Sequence, residues 1–555
     1  MKLNYKKVFY VGLAFFLISM FWQTYDNLIT KILIDKFGLN QTWSGVVMAM
    51  DNVLALILIP LFGGLSDKTN TKYGKRTPYI IVGTIIAAFA FIGLTFSDNY
   101  QTTKLKTETQ IVDQYEDMQD KVMDYDDWMV LKNSIVSQWD DLKNSGVIDQ
   151  DAYDKFYFEV IDGVDTDDAT EEDDYDYDSD RREGMLEILG PVDRTLTEKD
   201  QADLKEFFYL HLQQSAWIET TRSPGAFIAF AGTLFIALLS MATFRSPAVA
   251  LMPDVTVKPL RSKGNAVINL MGAVGGISAI GIMTLFSLDK LSYVNYGPAF
   301  ITVGILMIVF LGIFLWKVKE PKLVKEKEQE DLAFNLNDEE KQAEKLHESV
   351  DKLSKEKKTS LILILFSVAL WFMGYNAVTT KLSDYAPKVL EMGFSLPLLI
   401  AQGTAIVAFI PVGLLSTKIG RKRAIQIGVV LLTICFGSVY FLKPSSAFIM
   451  YFIFALTGAA WAMINVNSYP MVVELAKGSD VGKYTGFYYT FSMAAQILTP
   501  ILSGILMDAT DRTALFPYAT FFVAMAFITM LFVKHGDAKV EKKDSLIENF
   551  DVDMD

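Results

Sequence analysis

Twelve stretches of this chain are apolar over roughly twenty consecutive residues, and this pattern restricts the fold more than any other feature. A helix needs about 20 mostly apolar residues to cross a bilayer core about 30 Å thick. Because hydrocarbon cannot hydrogen-bond to a bare backbone, such stretches cross a membrane as helices. The sequence therefore predicts an all-α membrane protein with twelve transmembrane helices.

The predicted helices form two sets of six. The first set is Val8–Asn27, Trp43–Leu65, Tyr79–Ser97, Pro224–Phe244, Ala266–Leu288 and Pro298–Lys317. The second set is Ser360–Val378, Ser395–Leu415, Ala424–Leu442, Ala447–Val466, Thr485–Leu506 and Phe516–Val533. The first stretch follows three lysines, as a signal peptide would, but it lacks a small-residue cleavage site. We therefore interpret it as helix 1.

Lysine and arginine concentrate in alternate short loops. The loops after helices 2, 4 and 8 carry Lys68, Lys72, Lys75 and Arg76, then Lys258, Arg261 and Lys263, then Lys418, Arg421, Lys422 and Arg423. The loops after helices 5 and 9 carry one lysine each. Because positive loops remain in the cytoplasm, we expect a multi-pass protein of the cell membrane with both termini cytoplasmic.

Two polar segments interrupt the apolar pattern and define the predicted organisation. Residues 1–97 carry helices 1–3, 98–222 form an extracellular insert, 223–317 carry helices 4–6, 318–359 form a cytoplasmic linker, 360–534 carry helices 7–12, and 535–555 form a cytoplasmic tail. The insert holds about 34 acidic and 12 basic residues, so it accounts for the acidity of a chain whose net charge is −14.

In the most acidic part of the insert, Asp162–Asp180, 13 of the 19 residues are Asp, Glu or Tyr. Blocks of like charge usually remain solvated. The stretch also lacks the ligand spacing of an EF-hand loop. We therefore expect a solvated loop and no metal site. The flanking segments Tyr115–Leu142 and Asp203–Thr220 have helical periodicity.

The two sets of helices are related by an internal repeat. A shift of 350 residues places Tyr25 on Tyr375, Asp26 on Asn376, Thr30 on Thr380, Lys31 on Lys381, Ser66 on Ser416 and Lys68 on Lys418. Near the end of each half the shift is about 222, because Gly264 falls near Gly486. The difference is close to the length of the insert. The pattern indicates two equivalent six-helix halves, as rocking transporters require.

The loop after helix 2 reads Gly63-Gly-Leu-Ser-Asp67, followed by Gly74-Lys75-Arg76-Thr-Pro78. It resembles the signature loop of the major facilitator superfamily. Three further motifs resemble the sucrose-transporter-like branch of the glycoside–pentoside–hexuronide:cation symporters: Phe244-Arg-Ser-Pro followed by Arg261-x-x-Gly-Asn265, Trp461-Ala-Met-Ile-Asn465-Val-Asn467, and Thr485-Gly-Phe-Tyr-Tyr. The resemblance covers both membrane halves but not the insert, and it implies the major facilitator fold.

The second helix departs from one pattern in that family. Melibiose-type symporters carry two aspartates there to hold a coupling cation, and the corresponding positions here are Ala55 and Ile59. Sucrose-type members use protons. The resemblance therefore implies proton coupling rather than sodium coupling.

Two acidic residues fall within the apolar stretches. Asp51 lies inside helix 2, and Asp26 lies near the outer end of helix 1, one turn from Trp22. Ionisable residues at membrane depth are costly and mark functional sites. A low dielectric favours a neutral carboxyl group, so either side chain could load and release a proton, with Asp51 the first candidate. The alternative is that each carboxylate is simply wet at the surface.

Sugar recognition requires amides and acids that bond hydroxyl groups, together with aromatic faces. The candidates are Trp22, Gln23, Tyr25, Asp26, Asn52, Trp371, Tyr375, Asn376, Gln402, Asn465, Asn467 and Tyr488. Any one of them taken alone is more often a packing residue. Their concentration on helices 1, 7, 10 and 11 favours a central polar site between the halves.

A second group of residues is charged or lies in the signature loop, and we predict that it gates the cytoplasmic side. It comprises Asp67, Gly74, Lys75, Arg76, Arg245, Asp254, Arg261, Arg421 and Glu474. Such charges can pair across the halves while a gate is shut and separate when it opens. The alternative is that they only fix the topology.

These features predict a secondary transporter for sugar, not an enzyme, with a proton and the bilayer as partners and without cofactor or nucleic acid. No Walker-type phosphate loop supports ATP-driven transport. Two alternatives stay open. An exporter of amphipathic compounds would use the same fold, although the asparagines of helix 10 argue against it. A receptor acting through the acidic insert would leave Asp51 unexplained.

Overall fold

The computed structural model of the protein describes residues 3–105, 212–288, 295–333, 355–475 and 481–536, with a few positions between 137 and 146. In this part of the chain the regular structure is helical, and Thr71 and Gly74 form an isolated β-bridge. The predicted solvated loop and nearly all of the segment Tyr115–Leu142, whose sequence has helical periodicity, lie outside the described residues.

Among the described residues, twelve helices are long and apolar enough to cross a membrane, which confirms the predicted fold class. In the first half they are α1 (Tyr5–Asp35, interrupted at Gly12), α2 (Gln41–Lys68), α3 (Thr77–Lys104), α4 (Gly225–Val255), α5 (Arg261–Leu285) and α6 (Gly297–Lys317). In the second half they are α7 (Lys355–Val389), α8 (Ser395–Ile419), α9 (Arg421–Val439), α10 (Ile449–Glu474), α11 (Val481–Ala509) and α12 (Leu515–Leu531).

Local sequence signals fix several helix ends. The Asn40 side chain accepts a hydrogen bond of 2.9 Å from the Trp43 backbone N–H, so it caps the start of α2. Pro78 lies in the first turn of α3, where its missing N–H costs nothing. Gly420 separates α8 from α9 with a φ of 90°, a conformation that glycine adopts without strain.

Two shorter helices mark the two ends of the bundle. The linker helix, Glu320–Ala333, follows α6. At the other end, residues 212–222 are helical and form the last part of the insert. There Gln213 Nε2 donates to the Leu39 carbonyl at 3.0 Å, and Gln101 Nε2 donates to Thr220 Oγ1 at 3.2 Å. We call these two ends of the bundle the linker end and the insert end.

The two halves approach most closely where α2 crosses α11. A Cβ atom on Gly45 would lie 2.1 Å from the Pro500 carbonyl oxygen, and one on Gly504 would lie 2.4 Å from the Gln41 carbonyl oxygen. Only glycine permits backbones to come so near, and small residues serve the same purpose at many membrane helix interfaces. This contact joins α2 to α11 near the insert end.

Candidate functional site

Two carboxylates share one electrostatic environment in the first half. Asp26 on α1 and Asp51 on α2 interact with each other, and both interact with Arg245 on α4. The Arg245 guanidinium lies 5.8 Å from the centre of the Trp22 ring, and Asn52 Nδ2 donates to Asp51 Oδ1 at 2.8 Å. With both carboxylates ionised the group carries one net negative charge, so a single proton makes it neutral.

Tyr25 packs beside this group of charges. Its side chain is buried, its ring lies edge-on to Trp22 with centroids 5.6 Å apart, and its hydroxyl lies 3.4 Å from the Met48 carbonyl oxygen of α2. The residue thus joins α1 to α2 beside the two carboxylates.

The second half offers aromatic and amide groups at its centre. Tyr375 on α7 and Trp461 on α10 stack in parallel, with ring centroids 3.7 Å apart and an interplanar angle of 5°. Trp371 is buried on the same helix as Tyr375. Within the described residues, Trp371 Nε1 and Asn376 Nδ2 have no hydrogen-bond partner. Sequence reasoning quoted Trp461 in a motif but missed it as a site residue, although it lies one turn from Asn465.

Other predicted site residues serve helix packing or join the halves. Asn467 Nδ2 donates to the Met463 carbonyl of its own helix at 2.8 Å, and the Tyr488 hydroxyl lies 3.1 Å from Ser468 Oγ between α10 and α11. Asn465 is buried on α10. Gln23 and Gln402 bond to each other across the halves, since Gln402 Nε2 donates to Gln23 Oε1 at 2.5 Å.

Arg76 organises the signature loop at the linker end. Its guanidinium donates to Asp67 at 2.5 Å, to Asp254 at 2.8 Å and to Ser66 Oγ at 2.5 Å. Burial alone would lower the pKa of Arg76, but the hydrogen bonds and charges of Asp254 and Asp67 outweigh that effect and raise it. The guanidinium therefore holds α4 to the end of α2.

A residue that sequence reasoning missed completes this loop. The buried Glu320 carboxylate of the linker helix accepts the backbone N–H groups of Lys75 at 2.6 Å and of Thr77 at 2.8 Å. A carboxylate is favourable at the start of a helix, and this one lies at the start of α3. Gly74 makes room for it with a φ of 113°. The signal in the sequence was the glutamate four residues after Trp316, the last apolar residue of α6.

The remaining predicted gate residues divide between two places. Arg421 pairs with Glu474 at the linker end, and Arg261 donates to the Pro253 carbonyl at 3.3 Å. Arg245 lies apart from them, in the group with Asp26 and Asp51. The sequence does not determine this by residue spacing, because the position of α4 relative to α1 and α2 is a tertiary property.

At the insert end, ion pairs join opposite halves. Lys388 on α7 bonds to Asp35 on α1 at 2.6 Å and also to Asp384. The second oxygen of Asp384 accepts from Gln41 Nε2 at 2.6 Å and from Arg512 at 3.1 Å. Sequence reasoning missed this group, because predicted helix 7 ended at Val378.

The first turn of α2 is bonded to the second half as well. Asp508 on α11 accepts the backbone N–H groups of Gln41 and Thr42, each at 2.8 Å. The buried Lys381 donates to the Gln41 carbonyl at 2.8 Å and to Gln41 Oε1 at 3.0 Å. In contrast, the pairs of Arg76 and Arg421 at the linker end each join helices of one half. The insert end of the interface is therefore closed.

Family models identify the chain. The model described as Major Facilitator Superfamily matches residues 215–470 and 398–549, and the model described as MFS/sugar transport protein matches residues 10–107. The first model alone spans more than half of the sequence. The chain belongs to the Major Facilitator Superfamily. It is therefore a membrane transporter and not an enzyme, as the sequence predicts.

Individual relatives agree with this assignment. A sucrose transport protein of Arabidopsis thaliana, SUC3, is 32% identical over 76 residues, which cover 14% of this chain and 13% of the relative. Matches to the curated relatives span 13%, 30% and 17% of their lengths. The inward-open xylose transporter XylE of E. coli superposes with a TM-score of 0.54, at 13% identity over 98% of this chain and 99% of that one.

A D-xylose-proton symporter superposes similarly, with a TM-score of 0.55 at 12% identity over 96% of this chain and 99% of that one. At such identities the two superpositions show a shared fold. They confirm the twelve-helix major facilitator architecture predicted from the sequence.

Proposed function

We propose that this transporter carries a neutral sugar, a glucoside or a disaccharide, into the cell together with a proton by alternating access. The observation that carries the proposal is the meeting of Asp26, Asp51 and Arg245 within three apolar helices. Two relatives of this fold support it, one described as a sucrose transport protein and one as a D-xylose-proton symporter.

Proton coupling is the function that this group of charges supports best. A buried net charge in a low dielectric is costly, and one proton shared by Asp26 and Asp51 removes it beside Arg245. Loading and releasing that proton in different conformations would couple the proton gradient to solute movement. Sodium coupling has less support, because helix 2 carries Ala55 and Ile59 where cation-binding aspartates are expected.

The opposite half supplies the features that favour a sugar. The stacked pair Tyr375 and Trp461 presents aromatic surface, and Asn376 has an amide nitrogen without a partner in the described structure. Amides bond hydroxyl groups as donors and acceptors. The two carboxylates of the first half would repel an anionic solute. A neutral polyhydroxyl compound fits both halves.

The orientation that we propose places both termini in the cytoplasm and the acidic insert outside the cell membrane. The basic loops after helices 2, 4 and 8 support it. A single cysteine placed at Asp165, in a Cys435→Ser background, should react with an impermeant maleimide in intact cells. Labelling that requires lysis would reverse the orientation.

Transport in proteoliposomes tests the function directly. The purified protein would be offered labelled monosaccharides and disaccharides, including sucrose and xylose, with and without a pH gradient. We expect at least one sugar to accumulate only with the gradient. Accumulation driven by sodium instead would disprove proton coupling, and absence of uptake for every sugar would remove the proposed substrate class.

A further inference from the structure

One polar contact between the halves lies deeper than the ion pairs of the insert end. Gln402 Nε2 on α8 donates to Gln23 Oε1 on α1 at 2.5 Å. Gln23 lies about three turns inside α1 from Asp35, and Gln402 lies about two turns inside α8 from Ser395. This bridge therefore forms the inner edge of the closed interface.

The bridge engages only two of the four polar atoms of its two side-chain amides. Each amide has an acceptor oxygen and a donor nitrogen. The contact occupies Gln402 Nε2 and Gln23 Oε1. No other hydrogen bond of the described structure involves Gln23 Nε2 or Gln402 Oε1. One donor and one acceptor thus remain for a ligand.

On the side of α5 the bridge faces the backbone of the buried Gly276. A Cβ atom on Gly276 would lie 3.3 Å from Gln402 Oε1 and 3.6 Å from Gln23 Oε1, so glycine keeps a side chain away from both amides. Gln23 and Asp26 are three residues apart on α1 and therefore lie on the same side of the helix. The bridge borders the group of Asp26, Asp51 and Arg245.

We infer that the Gln23–Gln402 bridge senses the substrate: it joins the halves while the insert end is closed, and when the halves separate its two amides instead form hydrogen bonds to two adjacent hydroxyl groups of a sugar. This inference rests on the proposed function. A hydroxyl group both donates and accepts, so two neighbouring hydroxyls can satisfy the amides that separate. A carboxylate only accepts, and it would also meet Asp26 and Asp51.

The first test measures opening of the insert end without any sugar. A single cysteine replaces Ser44, which is buried between the halves beside Lys381, in the Cys435→Ser background. Gln23→Leu and Gln402→Leu should each speed its labelling by an impermeant maleimide about threefold or more. The double variant should be no faster than either single variant, because the first substitution already removes the bridge.

Met373→Leu is the matched control, because Met373 occupies on α7 the position that the 350-residue shift assigns to Gln23. It should leave the labelling rate unchanged. The inference would be overturned if the effects of the two substitutions on the labelling rate multiplied in the double variant. It would also be overturned if both single variants were labelled at the wild-type rate.

The second test measures binding of labelled sucrose, maltose and xylose to the purified protein. Each glutamine variant should bind the sugar that the wild type binds about tenfold more weakly. A methylated derivative of that sugar, in which one of two adjacent hydroxyls is blocked, should bind to the wild type and to the variant with the same affinity. Equal affinities in all variants would contradict the sensing role while leaving sugar transport intact. If the wild type binds none of the sugars, the proposed function fails, and the labelling test still decides whether the bridge holds the halves together.

Discussion

The two halves of the bundle carry different chemistry at equivalent positions of the repeat. The 350-residue shift pairs Tyr25 with Tyr375, but it pairs Asp26 with Asn376 and Asp51 with Ala401. Near the centre, the first half therefore presents titratable groups around Arg245, and the second presents the stacked Tyr375 and its amide neighbour. This difference between equivalent positions agrees with the proposal that the first half binds the proton and the second half contributes to sugar binding.

At the insert end, the contacts that two equivalent lysines make across the halves also differ. Lys381 crosses to α2 with hydrogen bonds to Gln41. Its repeat partner Lys31 donates to the Leu288 carbonyl at 3.2 Å within its own half, and its Nζ lies 5.9 Å from the centre of the Phe394 ring of the other half. On the α8 side the Thr284 and Ser395 hydroxyls also lie 2.8 Å apart across the halves. We expect the α2 side to contribute more to closure, because the charged side chains of Lys381, Asp384 and Asp508 all bond to the first turn of α2.

The largest effect expected from the first comparison belongs to Asp51. Asn retains the size and hydrogen bonding of Asp but cannot titrate, so Asp51→Asn should abolish accumulation driven by a pH gradient and retain solute exchange. In the wild type, one proton per solute and a gradient of one pH unit allow about tenfold accumulation. Uptake into proteoliposomes with and without the gradient measures both activities. Tenfold accumulation by the variant would place the proton site elsewhere.

A smaller effect, on sugar binding, is expected at Asp26 and Asn376, which occupy equivalent positions of the repeat. A hydrogen bond to a charged group contributes about 1.5–3 kcal/mol, and a neutral one about 0.5–1.5 kcal/mol. Asp26→Asn should therefore weaken sugar binding about tenfold or more, and Asn376→Ala only a few-fold. Equilibrium binding of the transported sugar measures both. Equal losses would show that the charge asymmetry between the halves does not extend to solute binding.

The two lysines test the asymmetry of the insert end. Lys381→Met removes hydrogen bonds from a charged donor, whereas Lys31→Met removes a cation–π contact across the halves, which contributes about 0.5–2 kcal/mol. Distances between spin labels at Trp43 and Thr510 report the separation of the halves. We expect a larger shift toward the open insert end in Lys381→Met. The same shift in both variants would mean that both sides close the interface equally.

The sequence allowed the helices to be predicted because each must supply about twenty apolar residues. It failed where charged residues are buried between halves rather than exposed to water. Predicted helix 7 ended at Val378, but α7 continues to Val389 and carries Lys381, Asp384 and Lys388 into the interface. Their spacing of three and four residues, on one side of a helix, was the available signal.

The sequence allowed single residues of the candidate site to be predicted on each helix, but not which of them lie together. Asp26 and Asp51 were identified because charge is costly in an apolar stretch. That Arg245 accompanies them, and that Gln23 bonds to Gln402, depends on how α1, α2, α4 and α8 cross. Residue spacing along one helix carries no information about such crossings, so Arg245 was assigned to the gate instead.

The smallest effect concerns the linker end, where the two halves again differ. Arg76 bonds to Asp67, Asp254 and Ser66, whereas Arg421 pairs with Glu474. Asp67 is largely exposed and Asp254 partly so. Arg76→Ala therefore leaves their charges hydrated rather than buried, and expression should remain nearly normal. Loss of the bonds between α2, α3 and α4 should slow uptake a few-fold.

Arg421→Ala should slow uptake less than Arg76→Ala, because it removes one ion pair, whereas Arg76→Ala removes bonds to Asp67, Asp254 and Ser66. Lys75→Ala is the control, since the backbone N–H of Lys75 contacts Glu320 and persists in the variant. Initial uptake rates normalised to the amount of protein in the membrane separate the three variants. Wild-type rates in Arg76→Ala would leave the signature loop with a role in topology alone, because its positive charges also fix orientation.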